Sequence, residues 1–241
     1  MIGKKEPQLQ VRGPQNKLIC PVCERSAAAF DPFGLTPRYN ARCPNCFSLE
    51  RHRLVWLFFC RQTDLFTSQH KRFLHIAPEP CLSRRLRAVP SILYLSADLI
   101  PRKAMSQMDV TRINFPDSYF HVIYCSHVLE HVPDDRQAMC ELRRVLAPTG
   151  WAVFMVPITA AATWEDPRII DPDARERAFG QRDHVRRYGP DFEIRLAEAG
   201  FKVNRIRPLG IVTVEEMRLM AINRSDDIFL STKELNANKP S

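Results

Sequence analysis

Four cysteines in two Cys-x-x-Cys pairs give the sharpest chemical signal. Cys20-Pro-Val-Cys23 and Cys43-Pro-Asn-Cys46 have nineteen residues between them, a spacing that suits a four-thiolate zinc site. Each pair can aim two thiolates at one ion, and the proline after the first cysteine stiffens the turn. Four thiolates leave no position for water, so zinc held this way is structural. Disulfides fit a reducing compartment poorly, and a redox pair would not need two copies. Cys60, Cys81, Cys125 and Cys140 are scattered and read as small, mostly buried side chains. His127 and His131 are four residues apart, on one face if helical. Such a pair can bind a metal, but the sequence shows no third ligand. Asp183, His184, Arg186 and Tyr188 crowd between Gly180 and Gly189. His184 can be a general base oriented by Asp183 or another acid, and Arg186 can hold an anionic group. An ordinary polar loop facing water would look the same.

These groups need elements to position them. With 241 residues, 45% of them hydrophobic, the chain can build one or two packed soluble domains. The longest apolar run, Leu54 to Cys60, is seven residues against the roughly 20 of a membrane helix. No apolar segment follows Lys4 and Lys5, so no secretory signal is expected and a cytoplasmic location is the default. No glycine lies between Gly34 and Gly150, which excludes the usual Gly-rich phosphate loops there. Residues 1–60 hold nine Lys or Arg against four acids, +5 of a net +8. That balance suits a nucleic acid or an acidic partner, or a solvated surface.

Residues 1–16 read as a loose tail, 17–50 as the zinc ribbon, 51–71 as a helical linker and 72–235 as an α/β domain. Leu49 to Arg61 has an apolar helical face that can dock the ribbon onto the α/β domain. Strands are expected at Phe73–Ala77, Ile92–Ala97, Phe120–Cys125, Trp151–Val156, Phe201–Ile206 and Ile228–Ser231. Helices are expected at Cys81–Val89, Val128–Leu146 and Pro190–Ala199, with a short polar one from Pro101. Alternation of this kind predicts a parallel sheet covered on both faces, with ligands at the carboxyl ends of its strands.

The stretch from Met108 to Asp134, with "NFPDSYFHVIYCSHVLEHVPD", continues into "LRRVLAPTGW" from Leu142 to Trp151. In combination these motifs resemble the class I S-adenosylmethionine-dependent methyltransferases, in particular the type 11 group. The resemblance covers residues 72–232 and implies a Rossmann-like, seven-stranded α/β domain. His121 stands where that pattern has an aspartate, and Thr149 where it has its first paired glycine.

What the resemblance implies for the site can be carried over by position. Asp98, with Leu99 after it, closes the second strand where the family's acid receives the ribose hydroxyls; a carboxylate can accept both. Asp109 and Val110 match the residues beside the adenine. Cys125 and Ser126 follow the fourth strand, facing the sulfonium, with His127 next. His184, Tyr188 and His127 are the candidate catalytic residues, and Arg186 and Asp183 the candidate substrate-binding ones. The first loop departs from the pattern: His75, Ala77 and Glu79 stand where the family has an acid and two glycines, and Pro78 and Pro80 lack an N–H. Either Glu79 takes the amino group of the methionine moiety, or the cofactor site is degenerate. The expected activity is methyl transfer to an unidentified acceptor. The alternative is a ribbon that binds nucleic acid or protein beside an inert methyltransferase-like domain. Residues 157–190 are expected to cover the site as a lid.

Overall fold

The computed structural model describes residues 17–233; the expected tail 1–16 lies outside the described residues. Both Cys-x-x-Cys pairs fold into the same turn. The N–H of the first cysteine donates to the carbonyl five residues on, Cys20 to Arg25 and Cys43 to Ser48, each at 2.9 Å. The N–H four residues on donates back, from Glu24 to Cys20 and from Phe47 to Cys43. Glu24 and Phe47 both take φ of 61°, a left-handed conformation that ordinary side chains seldom adopt. Short antiparallel ladders, Leu18–Ile19 on Ser26–Ala27 and Asp31–Phe33 on Arg38–Arg42, complete a zinc-ribbon-like unit.

Helix α1 (Glu50–Gln62) comes directly after the ribbon. It packs into the core through its apolar face. Leu54, Val55, Phe58 and Phe59 are fully buried, and Phe59 lies edge-on to Phe73 and Tyr124 on the sheet. Arg53 ties three regions together. Its guanidinium donates to Ala41 and Ser48 in the ribbon and to Met220 and Ala221 near the carboxyl end of the chain.

The sheet has seven strands: β1 (Lys71–Ile76), β2 (Ile92–Asp98), β3 (Ser106–Gln107), β4 (Phe120–Ser126), β5 (Leu146–Met155), β6 (Phe201–Ile206) and β7 (Ile228–Lys233). Their order is β6-β7-β5-β4-β1-β2-β3, with β7 antiparallel to both neighbours and the other pairings parallel. The expected Rossmann-like fold is therefore present. Strand residues alternate between two cores. Phe73, Val122 and Tyr124 meet α1 and α2 (Pro80–Arg87). Leu74, Ile76, Ile123 and Cys125 meet α3 (Asp135–Val145) and, further along the same face, α5 (Phe192–Glu198).

Several boundaries differ from expectation. The short helix expected from Pro101 is a run of turns into β3. The helix expected over Val128–Leu146 is broken: Leu129–His131 form a 3₁₀ turn, and Pro133 separates it from α3, because a proline denies the helix an N–H. Helices α4 (Pro172–Phe179) and α6 (Val214–Leu219) have no counterpart in the sequence pattern; each is short, and only one residue of each is buried.

Residues 157–190 fold back over the strand ends. Trp164–Glu165 pair antiparallel with Arg186–Arg187. Gly189 passes so close to Ala162 that a Cβ would sit 2.5 Å from its backbone. We expect Gly189→Ala to cost about 1–3 kcal/mol, the range for overpacking; thermal melting checks this, and an unchanged melting temperature would contradict the close approach.

Candidate active site

The carboxyl ends of β4 and β5, the lid, the ribbon and the β6–β7 connection enclose a cleft of about 890 Å³. Phe33 to Thr36 and Arg38 supply the ribbon wall. His127, Glu130 and His131 come from the turn after β4, Phe179 to Gln181 and His184 from the lid, and Ser225 and Asp226 from the far connection. The sequence-predicted His127 and His184 are thus brought together, and Glu130, Arg51 and Asp226 join them unpredicted.

The turn after β4 is wound so that polar groups point into this space. His127 adopts φ of 55°, with its Nδ1 3.3 Å from Glu130 Oε1. Asp183 lies against His131 (3.2 Å), not against His184 as expected. Burial, followed by the charge of His131, holds His184 below the ordinary histidine range, so the ring is neutral at neutral pH.

Two expected site residues have other tasks. Arg186 reaches the cleft wall, but its guanidinium is 2% exposed and fully engaged: it donates to the carbonyls of Leu129, Val132 and Pro133 and to Glu165. Tyr188 is fully buried, and its hydroxyl donates to Asp135 at 2.6 Å. Both pin the lid to the start of α3, and neither presents a free polar group to the cleft. A basic lid motif does not reveal from sequence alone that its arginine faces inward.

The first loop is built by α1. His52 Nδ1 accepts from the Leu49 N–H (3.1 Å), which leaves the proton on Nε2, 3.3 Å from Glu79 Oε1. His75 Nε2 lies 2.8 Å from the other Glu79 oxygen, and its Nδ1 2.9 Å from the Tyr94 hydroxyl. Glu79 is therefore hydrogen-bonded to His75 and faced by His52, rather than free for a ligand's amino group. Ala77, the position that the resemblance matches to a glycine, takes a left-handed φ of 48°, a conformation that glycine adopts without steric cost.

Glu79 and His52 make the loop acid-sensitive. Burial holds His52 below its ordinary range. For Glu79 burial works in the opposite sense, yet His52 and His75 hold the carboxyl well below the usual range. Both folded values are depressed, so their contributions exist above the unfolded values and fade as pH falls. We expect the melting temperature to decline below about pH 6.5, with a further loss below the ordinary carboxylate range that Glu79→Gln no longer shows. Identical pH profiles for the two proteins would refute this pairing.

At the end of β2, Asp98 has its Oδ1 accepting from the Ile100 N–H (2.8 Å), and Leu99 beside it is 64% exposed. Asp109 accepts from the N–H and hydroxyl of Thr111 through Oδ1; Val110 is buried. Cys125 is buried, and the Ser126 hydroxyl is buried without a hydrogen-bond partner among the described residues. The four Sγ atoms of Cys20, Cys23, Cys43 and Cys46 lie within 4.8 Å of one another, and all four are free thiols. In that packing, contact with Cys46 and burial push the Cys20 thiol up to about 12.

Residues 86–154 match the family model described as a methyltransferase domain. No curated protein matches the chain. Among solved structures, the chain is similar to one in a Haloferax volcanii complex of the Trm112 methyltransferase activator with a protein described as a methyltransferase. That match has 13% identity, covers 76% of this chain and 89% of the other, and has a TM-score of 0.54. It is also similar to the Burkholderia thailandensis 1,6-didemethyltoxoflavin N1-methyltransferase, solved with its substrate and S-adenosylhomocysteine. There the identity is 10%, coverage 77% and 79%, and the TM-score 0.50. A third neighbour is the [4+2]-cyclase SpnF, at 13% identity, 78% and 84% coverage and a TM-score of 0.50. The fold is that of the class I S-adenosylmethionine-dependent methyltransferases, and the cyclase shows that this fold does not by itself fix the reaction.

Proposed function

We propose that the chain is an S-adenosylmethionine-dependent methyltransferase whose acceptor lies in the cleft walled by the ribbon. The reading rests on one observation: Asp98 closes β2 with its carboxylate oriented by the Ile100 N–H, and its second oxygen has no hydrogen-bond partner among the described residues. In this reading that carboxylate receives the ribose hydroxyls, and Leu99 with Val110 flanks the adenine, whose amino group meets Asp109. Ser126, unpartnered in its buried place among the described residues, accepts or donates at the sulfonium end beside Cys125. His75 and Ala77 shape the first loop, and Glu79 holds it rigid. Bound S-adenosylmethionine supplies a methyl group on a positively charged sulfur, so placing the acceptor in line accounts for much of the rate. His127, partly exposed at the cleft, is the group placed to take a proton from the acceptor. We assign a structural zinc ion to the four cysteines, whose thiol set and closeness suit it. Among the described residues no helix is long and apolar enough to cross a membrane; we place the protein in the cytoplasm.

A second reading has its own support. With Glu79 engaged by histidines and the glycines replaced, the domain can be an inert partner of a ribbon that binds nucleic acid or protein. The Haloferax neighbour, solved with an activator, makes a protein partner the first to try. Calorimetry with S-adenosylhomocysteine decides. One equivalent bound per chain supports the enzyme; no heat from the zinc-loaded protein favours the binding module. Salt-dependent nucleic-acid binding lost in Arg42→Glu with Arg51→Glu would then identify the partner.

A further inference from the structure

At the floor of the cleft, Glu130 is a buried carboxylate without a hydrogen bond. Its residue is 1% exposed, and neither carboxylate oxygen has a hydrogen-bond partner among the described residues. His127 Nδ1 lies 3.3 Å from Oε1 without meeting hydrogen-bond geometry. A buried anion in this state costs several kcal/mol unless a cation or donors meet it. Two imidazoles stand beside it. His131 follows on the same 3₁₀ turn, and His184 comes from the lid, which the Val185 N–H holds down by donating to the Glu130 carbonyl at 2.9 Å. The two rings meet edge to face with centroids 4.6 Å apart. One ligand atom from each of Glu130, His131 and His184 lies within 4.8 Å of the others.

We propose that Glu130, His131 and His184 form a second metal site, separate from the four cysteines, which takes a first-row divalent transition ion. Two imidazoles and one carboxylate on one side of an ion leave its remaining positions open, here toward the cleft; this donor set suits manganese, iron, cobalt or zinc better than magnesium. Asp183 against His131 is the carboxylate-to-histidine contact that fixes a ligand's tautomer. The ion neutralises Glu130 and joins the lid to the turn after β4. Its open positions accept an oxygen of the acceptor, a hydroxyl, carboxylate or phosphate. That last step rests on the methyltransferase reading; the metal site does not.

The full chain, with zinc on the cysteines, is titrated with Co²⁺ in the absence of any S-adenosyl compound. We expect one further equivalent per chain, with weak visible bands and no thiolate charge-transfer absorption. Glu130→Gln, which keeps the shape of the side chain, and His184→Ala each lose this equivalent while the zinc content stays at one. Asp183→Asn, an exposed change that leaves the ligands in place, weakens it by about 10-fold. Absence of a second equivalent overturns the proposal. So does cobalt retained unchanged by Glu130→Gln and His184→Ala, or thiolate absorption showing that cobalt only displaced the zinc. Because cobalt is the only probe, its failure to bind is distinguishable from a failure to bind S-adenosylhomocysteine.

Discussion

Stripping the ion from the four cysteines, or replacing Cys43 with serine, is expected to unfold the whole described chain and not just the ribbon. Cys20, Val22, Phe30 and Cys43 belong to one apolar cluster with Leu54, Phe58, Phe59, Phe73 and Tyr124, so the ribbon and one face of the sheet share a core. Arg53, fully buried, hydrogen-bonds to both the ribbon and the carboxyl-terminal region. Burial lowers its affinity for its proton, and nearby Cys20, Glu50 and Cys43 act in the opposite sense; the negative charge of a tetrathiolate site is what that cation is placed to meet. A structural zinc ion contributes on the order of 10 kcal/mol in small metal domains, comparable to the total stability of a typical protein. Even a partial loss of about 4 kcal/mol lowers the melting temperature of a chain of this size by roughly 10 °C. Scanning calorimetry should show one transition that moves down as a unit. Two transitions, with the upper one unmoved by metal removal, would show that the ribbon is an independent appendage.

The second large effect is expected at Asp98. Replacing it with alanine removes the acceptor for two hydroxyls while leaving the backbone bond from the Met108 N–H to the Asp98 carbonyl in place. Hydrogen bonds to a charged group contribute about 1.5–3 kcal/mol each. The loss should weaken S-adenosylhomocysteine by about 100-fold or more, with Asp98→Asn intermediate and the melting temperature little changed. Calorimetric titration of the three proteins measures it. Equal affinities would remove Asp98 from the site and, with it, the observation on which the proposed activity rests.

Legibility in the sequence depends on how local the cause is. The two cysteine pairs announce themselves by spacing, because the turn that presents two thiolates is only a few residues long. The strands β1, β2, β4 and β5 are visible as apolar runs, while Asp98, an ordinary strand-ending residue by itself, is picked out only by the family resemblance. The role of Arg186 is hidden, since its carbonyl partners lie more than fifty residues earlier in the chain. The setting of Glu79 is hidden for the same reason: His52, on the helix after the ribbon, reaches the first loop only through the packing of α1 on the sheet. The members of the Glu130 cluster are also present in sequence, as the last two residues of His-x-x-Glu-His and the lid histidine. Nothing local says that a 3₁₀ turn and a distant loop will bring them to one point.

One wall of the cleft comes from the segment between the two cysteine pairs, Phe33 to Arg38, and none of the Asp98, Asp109 and Ser126 positions does. On the proposed reading, that division gives each half of the reaction its own stretch of chain. Lengthening or exchanging a loop between fixed ends changes stability little. Acceptor preference could therefore be retuned in the small N-terminal unit while the groups proposed to hold the methyl donor are left untouched.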